Sequence, residues 1–396
     1  VSPEGQLQIR LMCRGGTIGE VDITSSRPLQ LPRVFHGQTP QAMLKILPRL
    51  YSLCGTAQAA AALQACRHAL QRPVTATQTM AHDLLVKMET AKEHLWRALV
   101  DWPRWLAEEP QLQALAPLGK LLPGLRRALF GDQEPFTLSA QVHCNPAEAQ
   151  TQLDTLLTLL QQQVFGRPSA DWLQLDDLPS FQKWLAQVDT LPAWLLDTVQ
   201  QDGLADLGRC EMAGMSAIPD DWVVEQLGGV RADGFTALPH WQGQPCETSA
   251  LDRQRQHPLL DALSDAHGNG LLPRLVARLI ELAMMVEALR HGLAILPDMA
   301  GDSADDVASA ATGQGVGVSQ VEAARGRLVH RVVLDEGQVA DYRILAPTEW
   351  NFHPDGVLAR GLMGLKLKPE AQLRHEVALL INAIDPCVGY KLELVA

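Results

Sequence analysis

Hydrophobic residues recur at a helical period through most of residues 39–297, whereas alternating runs occur only near the two ends. That ordering restricts the chain to a helical body flanked by short β elements. Near the start, residues 7–13 and 18–23 alternate β-suited side chains around Arg14-Gly15-Gly16, which predicts a hairpin. At Thr39 the period changes: Pro40 takes a position where a first-turn proline is tolerated, and Ala42, Leu44, Ile46 and Leu47 begin a helical stripe. An Ala-rich helix is expected over 55–70, then helices over 78–108, 112–130, 146–164, 178–188, 192–200, 258–266 and 271–296. Residues 203–247 are rich in Gly and Pro and read as irregular, and residues 301–317 read as a loop with a short helical piece. A second hairpin is expected from 327–334 and 339–345 around Asp335-Glu336-Gly337-Gln338. A last helix over 369–384 leads to Asp385-Pro386-Cys387. The expected fold class is α+β, mostly helical, with residues 1–396 as a single domain and an irregular insertion around 203–247.

Over 396 residues, 46% hydrophobic and 20% charged side chains supply a core that needs no disulfide framework. The seven cysteines, at 13, 54, 66, 144, 210, 246 and 387, stand singly without a CxxC pair, which fits a reducing cytoplasm. The first ten residues carry no basic segment followed by an apolar run, so a cytoplasmic protein is expected. A net charge of −12 argues against a nucleic-acid partner, because phosphate binding is driven by clustered Lys and Arg. The most apolar segment, 270–297, is broken by Arg274, Arg278, Glu281, Glu287 and Arg290, which makes it an amphipathic helix rather than a membrane span.

Two cysteines invite a chemical reading. Cys54-Gly55 ahead of the Ala-rich helix suits either a small core side chain or a thiolate at a helix start, where the dipole and free amides lower the thiol pKa and favour metal binding. Cys387 carries the same two readings. Arg325 alone reads as a salt-bridge residue and Thr348 as a turn hydroxyl. His94 reads as a packed or capping residue, and Cys210 and Cys246 lack zinc spacing although they lie in the same irregular segment.

Taken in order, the motifs resemble the large subunit of NiFe-hydrogenases at five places. Leu53-Cys54-Gly55-Thr56-Ala57 resembles that family's Arg-x-Cys-Gly-x-Cys, and Asp385-Pro386-Cys387-Val388-Gly389-Tyr390 its terminal Asp-Pro-Cys-x-x-Cys. Between them, Glu247-Thr248-Ser249-Ala250-Leu251-Asp252-Arg253 is similar to Glu-Thr-Gly-Pro-Leu-Ala-Arg, and Arg274, Ala277, Arg278 and Glu281 match the helix that follows. Glu322-Ala323-Ala324-Arg325-Gly326 resembles Glu-Ala-Pro-Arg-Gly, and Ala346-Pro347-Thr348-Glu349-Trp350-Asn351 resembles Val-Pro-Thr-Thr-Trp-Asn. The resemblance implies a large-subunit-like fold. It also implies that Cys54 and Cys387 are metal ligands, that Arg325 and Thr348 donate hydrogen bonds to the cyanides of an Fe(CN)2(CO) unit, and that Pro347 shapes the pocket wall.

The departures bear on function. The second, bridging cysteine of each motif is replaced, by Ala57 and by Tyr390, so no nickel is expected. The family's early Arg-Gly-x-Glu aligns with Leu29-Gln30-Leu31-Pro32, without its proton-relaying Glu, and Glu393 stands where the family has a metal-binding His. These losses resemble the HupK/HoxV-type maturation proteins, degenerate relatives of the large subunit. The resemblance implies a non-catalytic maturation scaffold that holds the iron fragment transiently. Its implied partners are a small HypC-type iron-delivery chaperone and the hydrogenase large subunit, with no nucleic acid and no membrane insertion. A metal-free adaptor that recruits maturation chaperones and a residual hydrogenase are the alternatives.

Overall fold

The computed structural model describes residues 5–51, 53–215, 217–299 and 315–395. Its strands are β1 (Gln6–Arg14), β2 (Thr17–Ser25), β3 (Ala213–Gly214), β4 (Cys246–Glu247), β5 (Gly315–Ala323), β6 (Gly326–Asp335), β7 (Gln338–Leu345) and β8 (Gly389–Val395). The first hairpin forms as the Gly-Gly pair dictates: Gly15 and Gly16 take φ of 58° and 83°, a left-handed turn that matches the twist of β1 and β2. β8, where no strand is expected, pairs in parallel with β1 from Gln6↔Gly389 to Met12↔Val395 and gives the order β2-β1-β8. Only the alternation of half-buried Tyr390, Leu392 and Leu394 with exposed neighbours marks it as a strand. This closure joins the two ends of the chain and fixes Cys387 two residues before the strand.

The second hairpin, β6–β7, is part of a three-stranded antiparallel meander, because β5 pairs with β6 from Gly315↔Leu334 to Ala323↔Gly326. The loop expected over 301–317 therefore gives way to strand at its last three residues, and its remainder lies outside the described residues. Gly315 and Gly317 disguise the strand, and the packing explains them. A Cβ on Gly317 would lie 1.9 Å from the carbonyl oxygen of Ala65, and one on Gly315 would lie 2.3 Å from that of Ala69. The Gly55–Ala69 helix thus lies directly on β5, an approach that only Gly on the strand and Ala on the helix permit.

Most helices fall where the periodicity puts them, including Leu112–Phe130, Pro258–His267 and Glu370–Ile384. The helix expected over 78–108 is divided into Ala76–Trp96, a π turn over Arg97–Asp101 and a short Trp102–Trp105 piece. Pro103 has no N–H for the carbonyl of Leu99, and the amide of Gln111 bonds that oxygen instead at 2.9 Å. The stretch 203–247 holds two helices, Asp220–Gly228 and Ala232–Ala237, and β3 pairs in parallel with β4. Within it Cys210 and Cys246 turn to different partners, the carbonyls of Val357 and Gln244.

The long Leu271–Ile295 helix forms the axis of the main core and packs against Ala76–Trp96, Pro146–Leu160, Leu191–Gln201 and Glu370–Ile384. Its charges depart from the amphipathic expectation. Arg274, Arg278 and Glu281 are buried and paired inside the protein, while Arg290 is exposed. Glu281 accepts from Arg253 at 2.6 Å and from His94 at 2.7 Å, so His94 is a packed, bonded residue. Among the described residues, no helix is long and apolar enough to cross a membrane.

Candidate functional site

The fold brings the singled-out residues together from four separate elements. Cys54 is the N-cap of Gly55–Ala69, Arg325 sits in the two-residue turn between β5 and β6, Pro347 opens the short Pro347–Asn351 helix after β7, and Cys387 lies in the link between Glu370–Ile384 and β8. Cys54, Cys387, Arg325 and Pro347 line one cavity of about 20 Å³. Thr348 stands behind Cys387 rather than in the cavity wall. Its hydroxyl lies 2.8 Å from the Cys387 Sγ and accepts from the Cys387 amide at 3.3 Å.

Of the two readings open for Cys54, a small core side chain or a thiolate at a helix start, the second finds no free amides here. Glu89, from Ala76–Trp96, accepts hydrogen bonds from the Thr56 and Ala57 amides at 2.8 and 2.9 Å, which occupies the donors that would have faced the thiol. Burial pushes the Cys54 thiol up to about 12, with Cys387 and Glu89 adding to the rise and Arg325 and the Gln58 amide, 3.7 Å from the sulfur, opposing it. Burial, Cys387 and Glu89 thus favour the thiol over the thiolate at Cys54. Glu89→Gln removes one of the charges that suppress ionisation. The alkylation rate of Cys54 at fixed mildly alkaline pH is expected to rise several-fold, since the thiolate fraction grows about tenfold for each unit by which the pKa falls. Peptide mass spectrometry after timed iodoacetamide exposure measures this, and an unchanged rate would mean that burial alone sets the thiol.

Arg325 is held from behind. Its Nε donates to Asp385 at 3.2 Å and its Nη2 to Glu93 at 3.3 Å, while Nη1 is buried without a partner among the described residues. Burial works against the charge, but Asp385 and Glu93 more than offset it, so Arg325 stays a cation. Asp385 is shared by Arg97 at 2.8 Å and Arg278 at 3.4 Å as well. These three cations overcome its burial and hold its carboxyl well below the usual carboxylate range. Gly326 is required beside Arg325: it takes φ of 131°, and a Cβ there would lie 1.9 Å from the Thr248 carbonyl oxygen.

Arg27 was not legible as a site residue. It follows β2, lines the cavity, and places Nη1 3.6 Å from the Cys387 Sγ while pairing with Glu349 at 3.4 Å over the ring of Tyr51. Burial opposes its charge, and Glu349 and Cys387 more than offset it. Its only sequence signal is an isolated cation before Pro28, whereas Glu349 does stand in a recognisable motif. The two positions that replace bridging cysteines contribute no donor to the cavity. Ala57 is fully buried with its amide on Glu89, and the Tyr390 hydroxyl meets the Asn382 side chain at 3.2 Å. Glu393 bonds Arg10 at 3.1 Å on an exposed part of the β1–β8 pair.

The nickel-dependent hydrogenase family model matches residues 249–390, the part that carries Arg325, Thr348 and Cys387. Over nearly its whole length the chain is similar to hydrogenase expression/formation proteins. It is 30% identical to HoxV of Cupriavidus necator, covering 97% of this chain and 95% of that one, and 31% identical to HupV of Azotobacter chroococcum, covering 99% of both. The chain belongs to the HupK/HoxV family. Its fold is that of the hydrogenase large subunit: the Ni-Fe-Se hydrogenase of D. vulgaris Hildenborough superposes with a TM-score of 0.66 over 95% of this chain and 94% of that chain, at 15% identity. This chain thus has the large-subunit architecture, while the relatives it matches over nearly their whole length are named for hydrogenase expression and formation.

Proposed function

We propose that this chain is a non-catalytic scaffold of NiFe-hydrogenase maturation, which holds an Fe(CN)2(CO) fragment as cargo between Cys54 and Cys387 and passes it to the hydrogenase large subunit. The observation that carries this reading is one cavity that gathers two thiols and a guanidinium with a buried N–H that has no partner among the described residues. Soft thiolates suit iron, and a metal-bound cyanide nitrogen is the acceptor that the Arg325 Nη1 lacks. Two thiolates with three diatomics make five ligands, so one position stays open for transfer. Thr348 and Arg27, both on the Cys387 sulfur, orient that thiolate and offset its charge. A small HypC-type chaperone is the proposed donor.

Turnover of hydrogen is not part of this proposal, because the positions of the bridging thiols hold Ala57 and Tyr390. One observation favours the metal-free adaptor instead. A cavity of about 20 Å³ has room for roughly one water, so seating the fragment requires the lining side chains to part. An infrared spectrum of protein purified without oxygen from cells with an intact maturation pathway separates the two readings. Two cyanide bands and one carbonyl band are expected; a spectrum without them from such cells supports the adaptor.

A further inference from the structure

The thiol cavity, at about 20 Å³, is closed around its sulfurs, but a cleft of about 390 Å³ lies against it, with room for on the order of ten waters. Arg27 lines both spaces. Ala346 and Pro347 face the cavity, while the next two residues, Thr348 and Glu349, face the cleft. The start of the Pro347–Asn351 helix and the Arg27 side chain therefore form a partition between the two. The Cys387 sulfur stands on that partition, 2.8 Å from the Thr348 hydroxyl and 3.6 Å from Arg27 Nη1. Other cavities offer no such passage. One of about 750 Å³ beside Gly55 and Thr56 shares no lining residue with the thiol cavity, and the one behind Arg325, which does, measures only about 10 Å³.

The members of the partition are held differently. Glu349 caps its own helix, accepting from the Ala346 amide at 2.9 Å, and the Thr348 hydroxyl accepts from the Cys387 amide at 3.3 Å. The Arg27 backbone is fixed as well. Its amide donates to the Ser25 hydroxyl at 3.2 Å, its carbonyl accepts from Leu29 at 2.9 Å, and a Cβ on Gly5 would lie 2.5 Å from its Cα. The guanidinium is held less tightly: its pair with Glu349, at 3.4 Å, is longer than the roughly 2.7–2.9 Å of a strong charge-assisted bond, and sulfur is a weak acceptor. Arg253 and Glu281, at 2.6 Å, show the tight alternative. Rotation about the side-chain bonds of Arg27 carries its charged head into the cleft without moving the backbone, and the apolar stem can stay on Ile23, Leu29 and Leu238, which line it. Leu238 is 45% exposed, so the cleft reaches solvent.

We propose that this cleft is the entrance to the thiol cavity and that Arg27 is its door, a positioning residue that swings aside to admit a small cyanide-bearing iron fragment to Cys387 and then returns. What passes rests on the cargo reading; the entrance itself is a property of the chain without iron. On return the guanidinium again faces the Cys387 sulfur, now a ligand, and offsets its charge.

Alkylation of Cys387 in the full chain without iron tests the entrance, read by peptide mass spectrometry with iodoacetamide and with the bulkier fluorescein maleimide. The ratio of the two rates at one cysteine cancels its thiolate fraction and leaves access. Arg27→Ala is expected to raise the maleimide-to-iodoacetamide ratio several-fold at Cys387 and to leave it unchanged at Cys144, which lines neither space. Ala237→Trp fills the cleft from a residue outside the thiol cavity and is expected to slow both reagents at Cys387 several-fold. Should that variant not fold, Leu29→Trp is expected to do the same. A size ratio indifferent to Arg27→Ala, or Cys387 rates unchanged in the filled variants, would overturn the entrance. Neither result needs iron: gated labelling in a protein that never shows cyanide bands keeps the entrance and rejects the cargo, whereas cyanide bands with ungated labelling keep the cargo and reject the entrance.

Discussion

Cys54→Ala and Cys387→Ala are each expected to abolish the cyanide and carbonyl bands, and with them maturation of the partner hydrogenase. Each thiolate supplies one of two protein bonds to the cargo, and the second bond forms within a pocket where its partner is already placed. Losing either therefore removes the effective-concentration advantage of a bidentate site, on the order of 10²–10⁴-fold in retention. The surrounding donors should matter less. Arg325→Lys and Thr348→Val are expected to shift the cyanide bands and weaken retention by about 10–100-fold, the usual range for groups that orient ligands without being ligands. Denaturant midpoints separate these effects from unfolding. A half-buried thiol replaced by Ala costs less than about 1.5 kcal/mol, too little to empty the folded state. Bands that survive in both single variants would mean that the cysteines do not hold the iron.

Local signals were legible and distant pairings were not. The Gly15-Gly16 turn and the Leu112–Phe130 helix depend on residues within one turn or one helical stripe, so the sequence pattern determines them. By contrast β8 exists because β1, nearly four hundred residues earlier, offers an open edge, and β5 exists because an Ala-rich helix accepts its glycines. The candidate site follows the same division. Cys54, Arg325, Pro347 and Cys387 stand in motifs and do line one cavity. Arg27 and Glu89 carry no local mark, and their roles come from what the fold sets beside them: Arg27 against the Cys387 sulfur, Glu89 on the amides that follow Cys54. Arg274, Arg278 and Glu281 looked like the polar side of a helix because sequence alone cannot show that each has a buried counter-charge.

Asp385→Asn is expected to be the most destabilising single change near the site, by about 3–5 kcal/mol at neutral pH, a large part of a typical total of 5–15 kcal/mol. The carboxylate serves Arg97, Arg278 and Arg325 at once. Arg97 keeps Asp101 and Arg325 keeps Glu93, but among the described residues Arg278 is left hydrogen-bonded to two backbone carbonyls, with Glu281 its remaining nearby carboxylate. Asn suits the test because residue 385 has φ of 71°, a left-handed conformation that Asn tolerates nearly as well as Asp, whereas Ala would add backbone strain. The pH dependence gives a second reading. The folded-state pKa of Asp385 is depressed, so its contribution is present above the unfolded value of about 3.9 and is lost as pH falls through the lower folded value. The stability gap between wild type and Asp385→Asn should stay constant from neutral pH down to about 4 and close only below it, as urea midpoints across that range would show. A gap under about 1 kcal/mol at pH 7 would mean that water already shares the arginines. Arg325 would then lack the dry, fixed anchor that aims it at a cyanide, and the cargo-holding role would have to rest on the thiols alone.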